Sequence, residues 1–171
     1  MRTVAMLIFP DDDLRILEAV QRDGRITKLA LAQKVGLSPT PCWLRLRKLE
    51  KAGIITGYHA HVAPRRIAPV VSVLMEVTLA NHRQADFERF ERAIATMPEV
   101  VACWSVGGGV DYILKTMTPD IDAYQRLVDG MLDRELGIER YFTYIVTKMV
   151  KDETVLPLPS LVTPVAAKKE E

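Results

Sequence analysis

Apolar residues near the start of the chain recur at intervals of three and four. Leu14, Leu17 and Val20 show this spacing, and three aspartates precede them. Such spacing places side chains on one face of a helix, and acidic residues favour a helix N-terminus. The three predicted helices cover about 11–23, about 27–35, and a stretch that opens within 38–41 and ends at 52–53.

The spacing of apolar residues changes to two after Gly53, which is typical of strands. This pattern therefore predicts a strand or hairpin over residues 54–62. A hinge is predicted at Pro64-Arg65-Arg66. Strand and helix patterns then alternate. The predicted elements are strand 70–79, helix 85–97, strand 100–106, a glycine turn at 107–109, strand 110–117, helix 119–136 and strand 138–150.

The second half has the element order βαββαβ, which is the ferredoxin-like arrangement. Right-handed crossovers place both helices on one face of a four-stranded sheet, and a partner subunit is the simplest cover for the other face. The predicted fold is α+β: an N-terminal winged helix-turn-helix joined to a C-terminal ferredoxin-like domain. The predicted segments are a flexible arm at 1–10, the helix-turn-helix domain with its linker strand at 11–66, a ferredoxin-like oligomerisation domain at 67–158, and a flexible tail at 159–171.

The charge of the chain is unevenly distributed. Its 171 residues are 49% hydrophobic and 26% charged, as expected of a folded globular protein. The net charge is +1, but residues 1–66 carry 12 Lys or Arg and 6 Asp or Glu, whereas residues 67–171 carry 11 and 16. A basic region beside an acidic one indicates that the first binds a polyanion. Chance clustering of solvated charges is the alternative.

Two cysteines, Cys42 and Cys103, are too few and too distant for a zinc motif or a disulfide framework. Buried thiols in a reducing, cytoplasmic setting are expected. No apolar run approaches the ~18 residues of a membrane span, so no membrane association is expected. His59 and His61 could face the same way on a strand, but no nearby carboxylate or thiol completes a site, so neither a metal nor another cofactor is expected.

The strongest local signal lies at residues 31–53. Ala32 stands four residues before Gly36, a spacing that lets two helices cross closely and turn, as in a helix-turn-helix. Cys42, Leu46 and Leu49 share the inward side of the third helix. The candidate DNA-contacting residues are Arg47, Lys48 and Lys51, followed by Ser38, Thr40, Trp43, Leu44 and Arg45. The alternative is an ordinary helix whose basic face is only solvated. Large apolar side chains such as Trp43 and Leu44 are not expected on such a face.

These motifs resemble the leucine-responsive regulatory protein/AsnC family of bacterial and archaeal regulators. GLSPTPC followed by RLRKLE is the most specific match. The similar segments are DLRIL from Asp13, QRDGR at 21–25, GLSPTPC at 36–42, RLRKLEKAGIITGY at 45–58, MPEV at 97–100, VGGGVDYIL at 106–114 and TVLPL at 154–158. The resemblance implies double-stranded DNA as a partner, dimers formed through the sheets that commonly assemble into octamers, and an amino acid or related effector, with targets in amino-acid metabolism or transport.

The family often has Thr-Gly-acidic-x-Asp in the turn after the second strand, where this chain has Gly107-Gly108-Gly109-Val110-Asp111. Backbone N–H groups of the glycines could hold an effector carboxylate, and Asp111 could take its ammonium group. Thr143 is expected as a third contact from the neighbouring strand. The alternatives are a flexible turn without a ligand and an Asp111 that accepts local backbone N–H bonds.

Two other functions are compatible with parts of the pattern. One is an architectural protein that binds DNA without a ligand switch. The other is an amino-acid-processing enzyme built on the second domain. The sequence holds no nucleophile–base pair, metal set or phosphate loop, so no enzymatic activity is expected.

Overall fold

The computed structural model describes residues 9–152 and 155–162. They form two compact units: one contains the residues up to His61 and those from Lys151 onward, and the other spans Val62–Val150. The unit boundaries therefore differ from the predicted ones at 66 and 158. The first boundary moves by a few residues, whereas the second moves because the chain returns to the first unit after its last strand.

Three helices build the first unit: α1 (Asp11–Arg22), α2 (Lys28–Val35) and α3 (Pro39–Lys51). Thr27 caps α2 by accepting the Ala30 N–H at 3.2 Å. Gly36 ends it with φ of 72°, a left-handed conformation that favours glycine. Proline occupies the first position of α3, where its missing N–H costs nothing. The buried residues between the helices include Ile16, Leu31, Ala32, Val35, Cys42, Leu46 and Leu49.

The strand predicted at 54–62 is wrong. Residues 54–63, all of which the structure describes, form neither helix nor strand. The N–H of Ile54 instead donates to the Leu49 carbonyl at 3.1 Å, and the Tyr58 hydroxyl donates to Glu50 Oε1 at 3.0 Å. The segment is therefore held by the end of α3 and pairs with no strand. Pro64–Arg66, the predicted hinge, form one turn of 3₁₀-helix.

The second unit confirms the ferredoxin-like prediction. Its strands pair antiparallel in the order β2-β3-β1-β4. The elements are β1 (Val71–Leu79), α4 (Gln84–Ile94), β2 (Val100–Ser105), β3 (Tyr112–Thr118), α5 (Ile121–Asp133) and β4 (Ile138–Ile145). The largest difference from the prediction is β4, which ends five residues early because its pairing with β1 stops at Val73–Ile145.

The two faces of this sheet have different surroundings. Val73, Met75 and Val77 alternate along β1 and are fully buried with Phe90 of α4 and Met131 of α5. On the other face, Leu74 lies opposite Tyr144 and Glu76 opposite Phe142. The exposed aromatic and aliphatic side chains of this open face are Leu74, Trp104, Phe142 and Tyr144. One face of the sheet is thus a core, and the other exposes aromatic and aliphatic side chains beside Glu76 and Lys115.

Both predicted thiols can be placed. Cys42 is buried in the helical core, whereas Cys103 is exposed, so the prediction of a buried thiol is wrong for Cys103. The reason is its position on β2, which lies at the edge of the sheet.

The chain after β4 belongs to the first unit and not to the second. A short helix, α6 (Leu158–Leu161), follows it there. The Leu156 N–H donates to Gln21 Oε1 at 2.8 Å, and Leu158 packs against the helical core. Of the predicted arm, Phe9 is described and packs against the same core, while residues 1–8 and 163–171 lie outside the described ranges. Across those ranges, no helix has the length and apolar character needed to cross a membrane.

Candidate functional site

The helix α3 separates a buried side from an exposed basic side. Cys42, Leu46 and Leu49 are buried against α1 and α2. Leu44 is 63% exposed, although exposure of an apolar side chain to water is unfavourable. The other exposed predicted contacts are Ser38, Thr40, Arg47, Lys48 and Lys51. This surface combines cations with one aliphatic side chain, which suits phosphates together with a thymine methyl group.

Arg45 has a different place from the one predicted. Its guanidinium contacts Asp13 Oδ1 at 2.9 Å and Asp12 Oδ2 at 3.3 Å, both at the start of α1. Asp13 is only 6% exposed. Arg45 therefore joins α3 to α1, because a buried carboxylate needs a charged partner.

Trp43 is half-buried, and two cationic side chains lie near its ring. Lys28 Nζ lies 3.4 Å from the centroid of its ring, and Arg47 Cζ lies 5.5 Å from the same centroid. Lys28 is the first residue of α2 and was not predicted as a contact. No sequence signal marks it, because its proximity to α3 arises only when the two helices cross.

The remaining cations of α3 differ in their partners. Arg47 pairs with Glu50 Oε2 at 3.0 Å, and Glu50 also accepts the Tyr58 hydroxyl. Burial, and then the hydrogen bond and charge of Glu50, raise the pKa of Tyr58 to about 12. Lys48 and Lys51 have no ion pair among the described residues, so both ammonium groups are available to phosphates.

The glycine turn at 107–109 lies open between β2 and β3. A Cβ atom at any of Gly107, Gly108 or Gly109 would meet no atom within 4 Å. Gly108 has φ of 141°, which side chains rarely allow. The Val106 N–H donates to the Asp111 carbonyl at 3.0 Å and closes the turn. The turn is thus exposed backbone with open space beside each glycine.

Asp111 is bound to the end of β1. Its Oδ2 accepts the Leu79 N–H at 2.8 Å and lies 3.1 Å from His82 Nε2. This bond anchors Asp111 to a strand 32 residues away, and not to the local backbone N–H groups that the alternative for Asp111 predicted. His82 stacks on Phe87 with 5.9 Å between ring centroids. Sequence reasoning missed His82, which lies 29 residues from Asp111.

Thr143 does not join the turn. It lies on β4, and β1 separates β4 from β3, so the prediction of a contact from the neighbouring strand is wrong within one chain. Its hydroxyl lies 2.7 Å from the Tyr124 hydroxyl. His59 and His61 fall in the irregular segment after α3, and within the described ranges no group of three His, Cys, Asp or Glu side chains could hold a metal ion.

Both units match known domain families. Residues 13–56 match the winged helix-turn-helix DNA-binding domain, and residues 72–156 match the Lrp/AsnC ligand binding domain. The chain is 51% identical over 139 residues to the transcriptional regulatory protein DoeX of Halomonas elongata, covering 81% of this chain and 88% of that one. It is 40% identical over 144 residues to the leucine-responsive regulatory protein of Escherichia coli, covering 84% and 88%.

Solved structures show the same architecture. A transcriptional regulator from Neisseria meningitidis, solved as a complex with L-Met, superposes with a TM-score of 0.84 at 31% identity and covers 90% of this chain and 99% of its own. Escherichia coli AsnC gives a TM-score of 0.78 at 26% identity, covering 87% and 99%. Fold and site thus define a DNA-binding transcriptional regulator with a ligand-binding domain, and not an enzyme. The chain belongs to the Lrp/AsnC family.

Proposed function

We propose that the exposed side of α3 reads operator DNA in the major groove. The observation that carries this proposal is the combination of exposed Leu44 with Arg47, Lys48 and Lys51 on one side of a helix whose other side is buried. In this proposal Arg47 leaves Glu50 and reads guanine, and the exchange is inexpensive because exposed ion pairs contribute little. Lys28, Lys48 and Lys51 supply phosphate contacts, and Ser38 and Thr40 supply hydroxyl contacts at the helix start.

The test is selection of binding sites from a random duplex library, followed by gel shifts. A defined motif, bound far more tightly than scrambled duplex, is expected. Equal affinity for every sequence would contradict the proposed reading role and favour a ligand-independent architectural protein.

We further propose that a second copy of this chain covers the open sheet face. Leu74, Phe142 and Tyr144 lie on the paired strands β1 and β4, and Ile113 of β3 and Trp104 of β2 extend the same face. Exposed apolar patches of this kind mark interfaces between subunits. Dimers formed this way place two copies of α3 in one particle, which suits a two-fold symmetric operator and assembly up to an octamer.

The effector of this regulator is proposed to be an amino acid or a close derivative, bound at 107–111. The L-Met complex of the Neisseria relative and the leucine-responsive relatives support this class of ligand. Open backbone N–H groups of Gly107–Gly109 receive the carboxylate. The second carboxylate oxygen of Asp111 is left for the ammonium group, while Leu79 and His82 hold the first. Thr143 contributes nothing within the same chain, because β1 intervenes.

Calorimetry with the twenty amino acids, followed by gel shifts with any that bind, tests this site. We expect Asp111→Ala to lose the response, with Asp129→Ala, an exposed aspartate of α5, as the matched control. A response unchanged in Asp111→Ala would place the effector elsewhere.

The protein acts where its DNA is, so we propose a cytoplasmic location.

A further inference from the structure

A cavity lies at the end of the sheet opposite the glycine turn. Its volume is about 480 Å³, and its walls come from the α4–β2 connection, the end of β3 and one side of α5. The glycine turn precedes β3, whereas the cavity follows it, so the seven residues of β3 separate the two places. At about 3.3 Å per residue the separation is on the order of 20 Å. A ligand in one place cannot touch the other.

One wall of this cavity supplies cations. Arg126 of α5 and Arg134, the residue that follows α5, line it; they are eight residues apart and about 12 Å from Cα to Cα at helical rise. Neither guanidinium has an ion pair or hydrogen bond within the described part of the chain, although Asp122 stands four residues before Arg126. In contrast, Arg89 and Arg92 of α4 both pair with carboxylates on their own helix. The two cavity arginines are therefore exposed to solvent and not engaged by any carboxylate of the described residues.

The opposite wall supplies acceptors. Thr96 and Thr118 both donate their hydroxyl protons to backbone carbonyls, at 2.7 Å and 2.9 Å, which leaves only lone pairs for a ligand. Glu99 lines the cavity beside them, and the Met117 N–H bonds the Glu99 carbonyl at 2.9 Å, so Glu99 and Thr118 are held together. This wall accepts hydrogen bonds and carries one negative charge.

Gly130 leaves the space between the two arginines empty. It lies in the interior of α5, midway between Arg126 and Arg134, where glycine is an unfavourable helix residue. A Cβ atom there would meet nothing within 4 Å, so packing within the chain does not require a glycine. The bare helix surface gives a small molecule access to the cavity floor.

We propose that this cavity binds a free acidic amino acid, with its two carboxylates on Arg126 and Arg134 and its ammonium group on Glu99, Thr96 and Thr118. The charges correspond: two cations and one anion on the protein face two anions and one cation on the ligand. A monocarboxylic amino acid leaves one arginine unpaired, and a dicarboxylate without an amine leaves Glu99 unpaired. The site is independent of the one proposed at 107–111.

Calorimetry and thermal unfolding of the full chain with L-glutamate and L-aspartate test this proposal. Arg126→Gln and Arg134→Gln should each weaken binding of the acidic amino acid by about tenfold or more, because a charge-assisted hydrogen bond is lost. Glu99→Gln should remove the preference for L-glutamate over glutarate, which differs by the missing amine. Gly130→Met should block binding by filling the floor while keeping all charges. Arg92→Gln, on α4 and outside the cavity, is the matched control and should bind as the wild type does.

The failures are distinct. Absence of binding by wild type to both acidic amino acids overturns the proposal, as does equal binding by the wild type and the two arginine variants. Binding that is lost in Asp111→Ala but kept in Arg126→Gln and Arg134→Gln also overturns it, because the ligand then occupies the glycine turn. Binding that survives in Asp111→Ala and is lost in the arginine variants supports it, whatever becomes of the turn.

Discussion

Lys28 lies over the ring of Trp43, with 3.4 Å between its Nζ atom and the ring centroid. The contact joins the first residue of α2 to the middle of α3, and Arg47 approaches the same ring. A cation above a partly exposed aromatic ring contributes on the order of 1 kcal/mol. We propose that Trp43 supports positive charge beside the proposed DNA-reading surface.

Lys28→Gln should weaken binding to all duplex sequences alike and lower the slope of log affinity against log salt by about one unit. The reason is the loss of one phosphate contact. Fluorescence anisotropy at several salt concentrations measures this slope. Lys34→Gln, on the same helix and outside the Trp43 contact, is the control. An unchanged slope in Lys28→Gln would remove this lysine from the interface.

Arg47→Ala should cost roughly 1–3 kcal/mol for the selected operator and much less for scrambled duplex, because a base contact carries sequence information. Lys51→Ala should weaken both duplexes equally. Competition titrations with the two duplexes separate these outcomes. If Arg47→Ala weakened both duplexes by the same factor, Arg47 would be a phosphate contact.

Arg45→Ala should lower the free energy of unfolding by about 1–2 kcal/mol, because Asp13 is left buried without its charged partner. Urea unfolding measures the loss. In a double-mutant cycle, Asp13→Asn should cost much less in the Arg45→Ala background than in the wild type. Additive losses would show that the two side chains do not interact in solution.

Trp104→Glu and Phe142→Glu should each dissociate the oligomer, weakening self-association by at least about 2 kcal/mol, because a charge would be buried in the apolar interface. Sedimentation velocity over a range of concentrations measures this. Leu132→Glu, at an exposed apolar position on α5, is the control and should leave the oligomer intact. A wild-type monomer at micromolar concentration would contradict the proposed interface.

Stability of the first unit should fall at high pH because of Tyr58. Burial and Glu50 raise the pKa of its hydroxyl from 10.0 to about 12 in the folded protein. The contribution is therefore complete below pH 10 and is lost as the pH rises through about 12, since the unfolded chain releases the proton first. Tyr58→Phe should lose about 0.5–1 kcal/mol at neutral pH and show a weaker alkaline decline. Urea unfolding across this range decides, and parallel curves would contradict the hydrogen bond to Glu50.

Local signals predicted the helices of the first unit to within one or two residues at nearly every end. Thr27 and Gly36 act on the residues beside them, so their effect can be read without the fold. The failed strand at 54–62 shows the opposite case. Its alternating pattern was real, but a strand forms only where another strand offers hydrogen bonds, and none pairs with it.

The site could be predicted only in part for the same reason. Arg45 and Arg47 are two residues apart on a basic helix, and sequence does not tell which one meets α1. The position of Asp12 and Asp13 beside α3 decides that. Likewise, Asp111 and Leu79 are 32 residues apart along the chain, and their contact depends on β1 and β3 being neighbours in the sheet.

The return of the chain to the first unit after β4 makes the second unit an insertion within the first. Leu158 packs against the core of the first unit and is synthesised after the whole sheet. A fragment that stops at residue 66 therefore lacks part of its own core, and one cut between the units leaves them joined by the other connection. The two units are therefore joined by two polypeptide connections instead of one.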